Sequence, residues 1–337
     1  ASVSIPSSKK IVLLGAGMNS TVITIAGTAI NMTTSGSRVT GIGFVGGGIK
    51  VDGNGWRIDH CKFYSDALVL AITASGVTAG LLPTGLVDNC SIHNGRIVVH
   101  IGAMLSDNNW QQQMWFKPLN LGSADNTVFV EDCTFTFTVL GNIDENYGGG
   151  YVFRYNTVTN SGAGTGQGFH IEAHSVQNYP TTNRAARTWE VYGNVINNTG
   201  DFHFTPFFLR GGTGTVFYNS IIGNWSYNTI TLDNRRDSYN AADNTTGYGR
   251  CDGDSVWDGN QDATGWPCRD QIGRGPDAVL WNHSPAGPYT QTSAPAYMWL
   301  NRKEANAEVP VLVKDGTLNI KANRDFYDYN ASFNGTS

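Results

Sequence analysis

Apolar and polar residues alternate along most of this chain with a period of two rather than 3.6, which predicts strands and not helices. One six-residue phrase recurs. Ile58-Asp59-His60-Cys61-Lys62-Phe63 is echoed by Val87-Asp88-Asn89-Cys90-Ser91-Ile92 and by Val130-Glu131-Asp132-Cys133-Thr134-Phe135. It returns as Phe153-Arg154-Tyr155-Asn156-Thr157-Val158, Glu190-Val191-Tyr192-Gly193-Asn194-Val195 and Val216-Phe217-Tyr218-Asn219-Ser220-Ile221. Each copy reads as a short strand, a polar bend and a second short strand, and a unit of about 23–25 residues with variable insertions accounts for the spacing. Such a unit cannot bury its apolar side alone. Stacking successive units at about 4.8 Å gives every strand a neighbour and builds a continuous interior.

The bend position carries Cys61, Cys90 and Cys133 early, and Asn156 and Asn219 later. One column of small, half-buried residues is expected there, with Asn amides bonding to the units above and below and Cys packing as a small hydrophobe. As metal ligands the three cysteines would lack a close Cys-x-x-Cys pair.

Composition narrows the class. The 337 residues include 41 glycines, 40% are hydrophobic and only 15% are charged, too few helix formers and charges for a bundle or coiled coil. With 11% aromatics the chain can fill a core. A net charge of -5 argues against nucleic acid as a partner, which needs a concentrated basic face. No apolar run is long enough to span a bilayer. The first twenty residues lack the features of a secretory signal, so the chain reads as a mature or trimmed product. Extracellular location, secreted or at the cell surface, is expected from a disulfide assigned to Cys251 and Cys268. That bond would order a Gly/Asp-rich stretch with little apolar content of its own.

After Arg236 the phrase stops. The expected organisation is one structural domain: repeated units over 1–236, a disulfide-pinned Gly/Asp/Trp-rich insertion over 237–300 and C-terminal strands or a cap over 301–337.

The repeated phrase, together with the strand and Gly-x-Gly turn of Ile11-Val12-Leu13-Leu14-Gly15-Ala16-Gly17, resembles right-handed parallel β-helix proteins of the pectate-lyase-like superfamily. A closer resemblance is to secreted bacterial β-helix proteins, through Arg250-Cys251-Asp252-Gly253, Pro267-Cys268-Arg269-Asp270-Gln271-Ile272-Gly273-Arg274 and Asn323-Arg324-Asp325-Phe326-Tyr327. The coil resemblance covers about residues 10–235 and implies an all-β, single-stranded right-handed parallel β-helix, a solenoid with long loop insertions. It leaves the function open, because this fold hosts lyases, hydrolases, epimerases and inert fibres.

In such a stack, side chains distant in sequence line up on one face. Alternation puts His170, Glu172 and His174 on one side of a strand, with Ile171 and Ala173 inward. Counting back from each phrase gathers Lys117, Glu145, Tyr147, Arg210, Asp233 and Arg235 on or beside the same surface, with Trp115, Asn234 and Arg236 as further substrate contacts. The resemblance implies an acidic polysaccharide as partner and β-elimination at a uronate as the reaction. Arg210 and Arg235 suit the carboxylate-gripping cation, Lys117, His170 or His174 the base, and Tyr147 the acid. No catalytic motif of the pectate lyases is matched residue by residue. Hydrolysis by two carboxyl groups among Glu145, Glu172 and Asp233 is the competing chemistry. A non-enzymatic adhesin, fibre or spike is the competing class.

Two metal readings remain open. His170-x-Glu172-x-His174 has donors suited to zinc. Asp252, Asp254, Asp258, Asn260 and Asp262 resemble the start of a calcium loop without its closing Glu. Tryptophans Trp110, Trp115, Trp257, Trp266, Trp281 and Trp299, placed in or near insertions, would suit the walls of a carbohydrate groove.

Overall fold

The structure is a computed structural model and describes residues 2–75, 83–100, 127–139, 141–146, 148–162, 170–175, 185–234, 268, 270–275, 292–315 and 319–329. Those residues are all-β, apart from one 3-10 turn at Glu304–Asn306. None of their helical segments is long and apolar enough to cross a membrane. They form two sheets in which every strand pairing is parallel.

The ten-stranded sheet runs, in spatial and sequence order, through Val12–Leu14, Arg38–Thr40, Asn54–Asp59, Thr84–Asp88, Val128–Glu131, Gly150–Arg154, Thr188–Tyr192, Thr213–Phe217, Ala296–Trp299 and Phe326–Tyr329. The fourteen-stranded sheet takes the strands between these. Its long members Val22–Met32, Gly43–Val51, Lys62–Ser75 and Ser91–His100 are each divided by register shifts into two legs. The first leg continues through Thr134–Phe137, Thr157–Asn160, Val195–His203 and Ser220–Trp225. The second continues through Asn142–Asn146, His170–Ala173, Phe207–Leu209, Ile230–Asp233 and Val311–Asp315. Each traverse of the chain therefore adds one strand to each of three parallel ladders, an arrangement compatible with a β-helix.

The interior follows from alternation. Val39, Ile58, Val87, Val130, Phe153, Val191, Val216 and Met298 are in register in the ten-stranded sheet. Phe44, Phe63, Ile92, Phe135, Val158, Ile196 and Ile221 line the first leg, and Ile30, Ile49, Ile72, Ile97, Ile143, Ile171, Phe207 and Ile230 the second. All of these are buried in one continuous core, each contributing about 1.5–3 kcal/mol of apolar transfer.

Within the repeated phrase, Ile58 points in, His60 takes the left-handed conformation that turns the corner, and Phe63 points in on the next leg. Gly41, Asn89, Asp132, Tyr155, Gly193, Tyr218 and Leu300 make the same corner in other traverses. The residue after each corner forms one ladder. Cys61, Cys90 and Cys133 direct their Sγ atoms to the carbonyls of Val39, Ile58 and Val87 at 3.7, 3.6 and 3.8 Å. Asn156, Asn194, Asn219 and Asn301 donate Nδ2 to Val130, Phe153, Val191 and Val216, all at 2.9 Å. All three cysteines are free and buried. Packing of Cys61 against Cys90, with burial, pushes its thiol up, and burial does the same to Cys90, so both stay protonated.

The phrase does not end at Arg236. Ala296-Tyr297-Met298-Trp299-Leu300-Asn301 is another copy, pairing with Thr213–Phe217 and placing Asn301 under Asn219. Trp299 thus belongs to a strand of the stack, stacked on Phe217 at 4.2 Å. Cys268 is disulfide-bonded, and Cys251 lies outside the described residues.

Candidate functional site

Register decides which acidic residues meet. Ile143 pairs with Ile97 and Ile171 in an inward column, so Asp144 faces outward beside Glu172 on the next strand, and Phe208 follows. His174 and Arg210 leave the ends of their strands on this same outward side.

The side chains form a closed network. His174 Nδ1 lies 2.5 Å from Asp144 Oδ1, and its Nε2 lies 3.4 Å from Glu172 Oε1. Arg96 donates Nη2 to Asp144 Oδ2 at 2.9 Å. Arg210 pairs with Glu172 Oε1 while its guanidinium sits 4.7 Å over the Phe208 ring. His170 Nε2 lies 3.0 Å from Glu172 Oε2. Asp144, Glu172, His170 and Arg210 are buried, whereas the His174 side chain keeps 17% of its surface exposed. Burial opposes ionisation of Asp144, but His174 first, then Arg96 and Arg210, outweigh it and hold the carboxyl below the usual range.

Glu145, expected on the outward face, lies inside. It occupies the inward column between Val99 and Ala173, is fully buried, and neither carboxyl oxygen has a hydrogen-bond partner. The reason is the strict alternation set by Ile143: residues 143 and 145 share the inner side, so only Asp144 between them reaches the outer face. Burial, reinforced by Asp144, pushes the Glu145 carboxyl well up, which favours the neutral acid. Tyr151 fills the interior from the facing sheet and donates its hydroxyl to the Glu172 carbonyl at 3.2 Å.

Asp233 and Asn234 are buried at the end of Ile230–Asp233, two strands beyond Glu172, and Asn234 donates Nδ2 to Cys268 Sγ at 2.8 Å. Lys117, Tyr147, Trp115, Arg235 and Arg236 lie outside the described residues. So do Asp252, Asp254, Asp258, Asn260 and Asp262, proposed for calcium, and Trp110, Trp257, Trp266 and Trp281. Asp144 and Arg96 were missed by sequence reasoning. The apolar Ile143 carried the signal for Asp144, while nothing in the sequence marks Arg96 as its neighbour.

Asp144, Glu172 and His174 offer ligand atoms within 4.8 Å of one another, a donor set of the kind that holds a divalent cation. The surroundings do not fit one. Each carboxylate already has a guanidinium partner, and Asp144 holds His174 Nδ1. A cation would have to displace those contacts and sit between two positive charges.

What the network can do is hold an imidazole in one orientation. A carboxylate on Nδ1 sets the tautomer and leaves Nε2, 3.4 Å from Glu172 Oε1, as the nitrogen that can exchange a proton, the division of labour used wherever a histidine serves as base. No family model, curated protein or solved structure matches this chain.

Proposed function

We propose that this chain is an extracellular right-handed parallel β-helix protein of the pectate-lyase-like kind that binds and cleaves an acidic polysaccharide by β-elimination, with His174 as the base. The observation that carries this reading is the His174–Asp144 contact at 2.5 Å on the outward face, with part of the ring open. β-Elimination needs a base at the C–H next to the uronate carboxylate, a cation on that carboxylate and an acid for the leaving oxygen. Arg235 and Tyr147 are the proposed suppliers of the last two. Arg210 is assigned a positioning role instead of the carboxylate grip, because Glu172 already neutralises it. Hydrolysis is less well supported: of its candidate carboxyls Glu145 lies inside the core, out of reach of a substrate, and Glu172 is paired with Arg210. The disulfide at Cys268 supports an oxidising, extracellular setting.

The test is absorbance from unsaturated ends on a panel of uronate polymers. His174→Gln is expected to lower turnover about a hundredfold or more, the usual worth of a general base, at an unchanged melting temperature. A flat trace on every polymer with folded protein removes the lyase reading. It would favour the non-enzymatic rod, which the burial of Asp144, Glu172 and Arg210 also supports.

A further inference from the structure

We propose that Tyr155 and Tyr218 form a binding site for an uncharged, extended β-linked glycan, on a different face from Asp144 and His174. Both tyrosines occupy the left-handed corner, at φ 57° and 54°. The corners beside them use Asp132, Gly193 and Leu300, the first two of types that tolerate this conformation, whereas a bulky side chain there is uncommon. Both are also wide open, with 55% and 57% of their surface exposed.

Ring orientation separates these two from the other aromatics nearby. Tyr192, Phe217 and Trp299 stack at 4.5 and 4.2 Å in register down the sheet, so their planes lie across the long axis and their faces are used on one another. Tyr155 stands at 89° to Tyr192 and Tyr218 at 71° to Phe217, so these two rings run along the axis and turn a face sideways to solvent. They are two traverses apart, which puts them roughly 10 Å from each other, about the length of two sugar units in an extended β-linked chain.

Gly193 holds the corner between them. A Cβ there would come within 2.7 Å of Tyr155 Cδ1, so the glycine both seats the Tyr155 ring and leaves a gap between the two faces. Alongside run Thr157, Val195 and Ser220 in register, two hydroxyls and an apolar side chain, with Arg302 next in the column beyond Ser220. The Arg154 guanidinium, 5.8 Å from the centre of the Tyr155 ring, is paired with Glu131 at 2.5 Å. Aromatic faces for the apolar sides of sugar rings, hydroxyls for their edges and an Arg154 already neutralised by Glu131 together favour a neutral glycan over an acidic one.

Retention of the whole chain on insoluble β-1,4-glucan, β-1,4-xylan, starch and immobilised polygalacturonate tests this without any turnover, so failure of the catalytic reading leaves the result interpretable. Retention on a neutral β-linked polymer is expected. Tyr155→Ala and Tyr218→Ala should each weaken it roughly fivefold, as a ring contact of about 1 kcal/mol implies. Melting temperatures should stay unchanged. Gly193→Asn keeps both rings and suits the corner, but crowds the Tyr155 ring edge, and is expected to weaken retention too. Absence of retention on both neutral β-linked polymers, retention on polygalacturonate that is lost with the two tyrosines, or a Tyr155→Ala/Tyr218→Ala double variant that binds the neutral polymer like the parent overturns the proposal.

Discussion

Glu145 shows how much one residue's register matters. Moved by one position it would join Asp144 and Glu172 on the outer face; where it is, it faces Tyr151 across the apolar interior without a hydrogen bond. Its folded pKa is raised, so below the unfolded carboxyl's ordinary value of about 4.3 both states are protonated and the fold loses nothing. Above that pH the unfolded chain ionises and the folded one does not, so stability falls as pH rises toward the folded pKa. Glu145→Met, which keeps the length and removes the acid, should therefore stabilise the protein by about 1–3 kcal/mol at pH 8. That gain should shrink as the pH is lowered toward 4. Urea unfolding at the two pH values measures it, and an equal gain at both would mean that ionisation is not the cause. Asp59 has the opposite sign. Burial resists its charge, but Arg38, His60 and Thr40 prevail and hold its carboxyl below the usual range, so its contribution is present at neutral pH and fades on acidification.

The corner ladder is the element that ties one traverse to the next. Asn194 Nδ2 donates to the Phe153 carbonyl at 2.9 Å, and its Oδ1 accepts from the Asn156 amide N–H, also at 2.9 Å. Asn194→Ala leaves both groups buried and unsatisfied, and should cost about 2–4 kcal/mol in denaturant unfolding. Cys90→Ala, which removes only weak sulfur contacts, should cost less. Comparable losses in the two variants would mean that the column works by packing alone. The ladder's members were legible early because Cys61, Cys90, Cys133, Asn156 and Asn219 recur at one place in a recurring phrase. Asn301 was not, because 82 residues separate it from Asn219 and the eye follows spacing, whereas the sheet follows pairing.

At the scale of the molecule, each traverse touches only its neighbours, so stability is close to a sum of local and nearest-neighbour terms and is lowest where a neighbour is lacking. At the first traverse Val12, Leu14 and Val22 remain exposed, and Leu13, Ile23 and Ile25 are only partly buried. At the other end Asp328 takes the place beside Met298 that an apolar residue holds in the traverses between. Amide hydrogen exchange should accordingly be fastest in Val12–Leu14 and slowest in the central strands Ser91–His100 and Gly150–Arg154. Uniform protection from end to end would indicate a single cooperative unit instead.

Sequence alone pointed to an all-β protein of stacked units, since a short strand-bend-strand phrase that recurs along the chain cannot bury its apolar side without a neighbouring copy. It also placed His170, Glu172 and His174 on one strand and gave Ile171 and Ala173 the inner side. Tertiary structure decided which residues from other strands meet them. Asp144 replaced Glu145 because one position of register exchanges inside for outside, and Arg96 joined from 48 residues away because parallel pairing brings the strands together. Such pairing is a property of neighbouring strands, and no single strand's pattern records it.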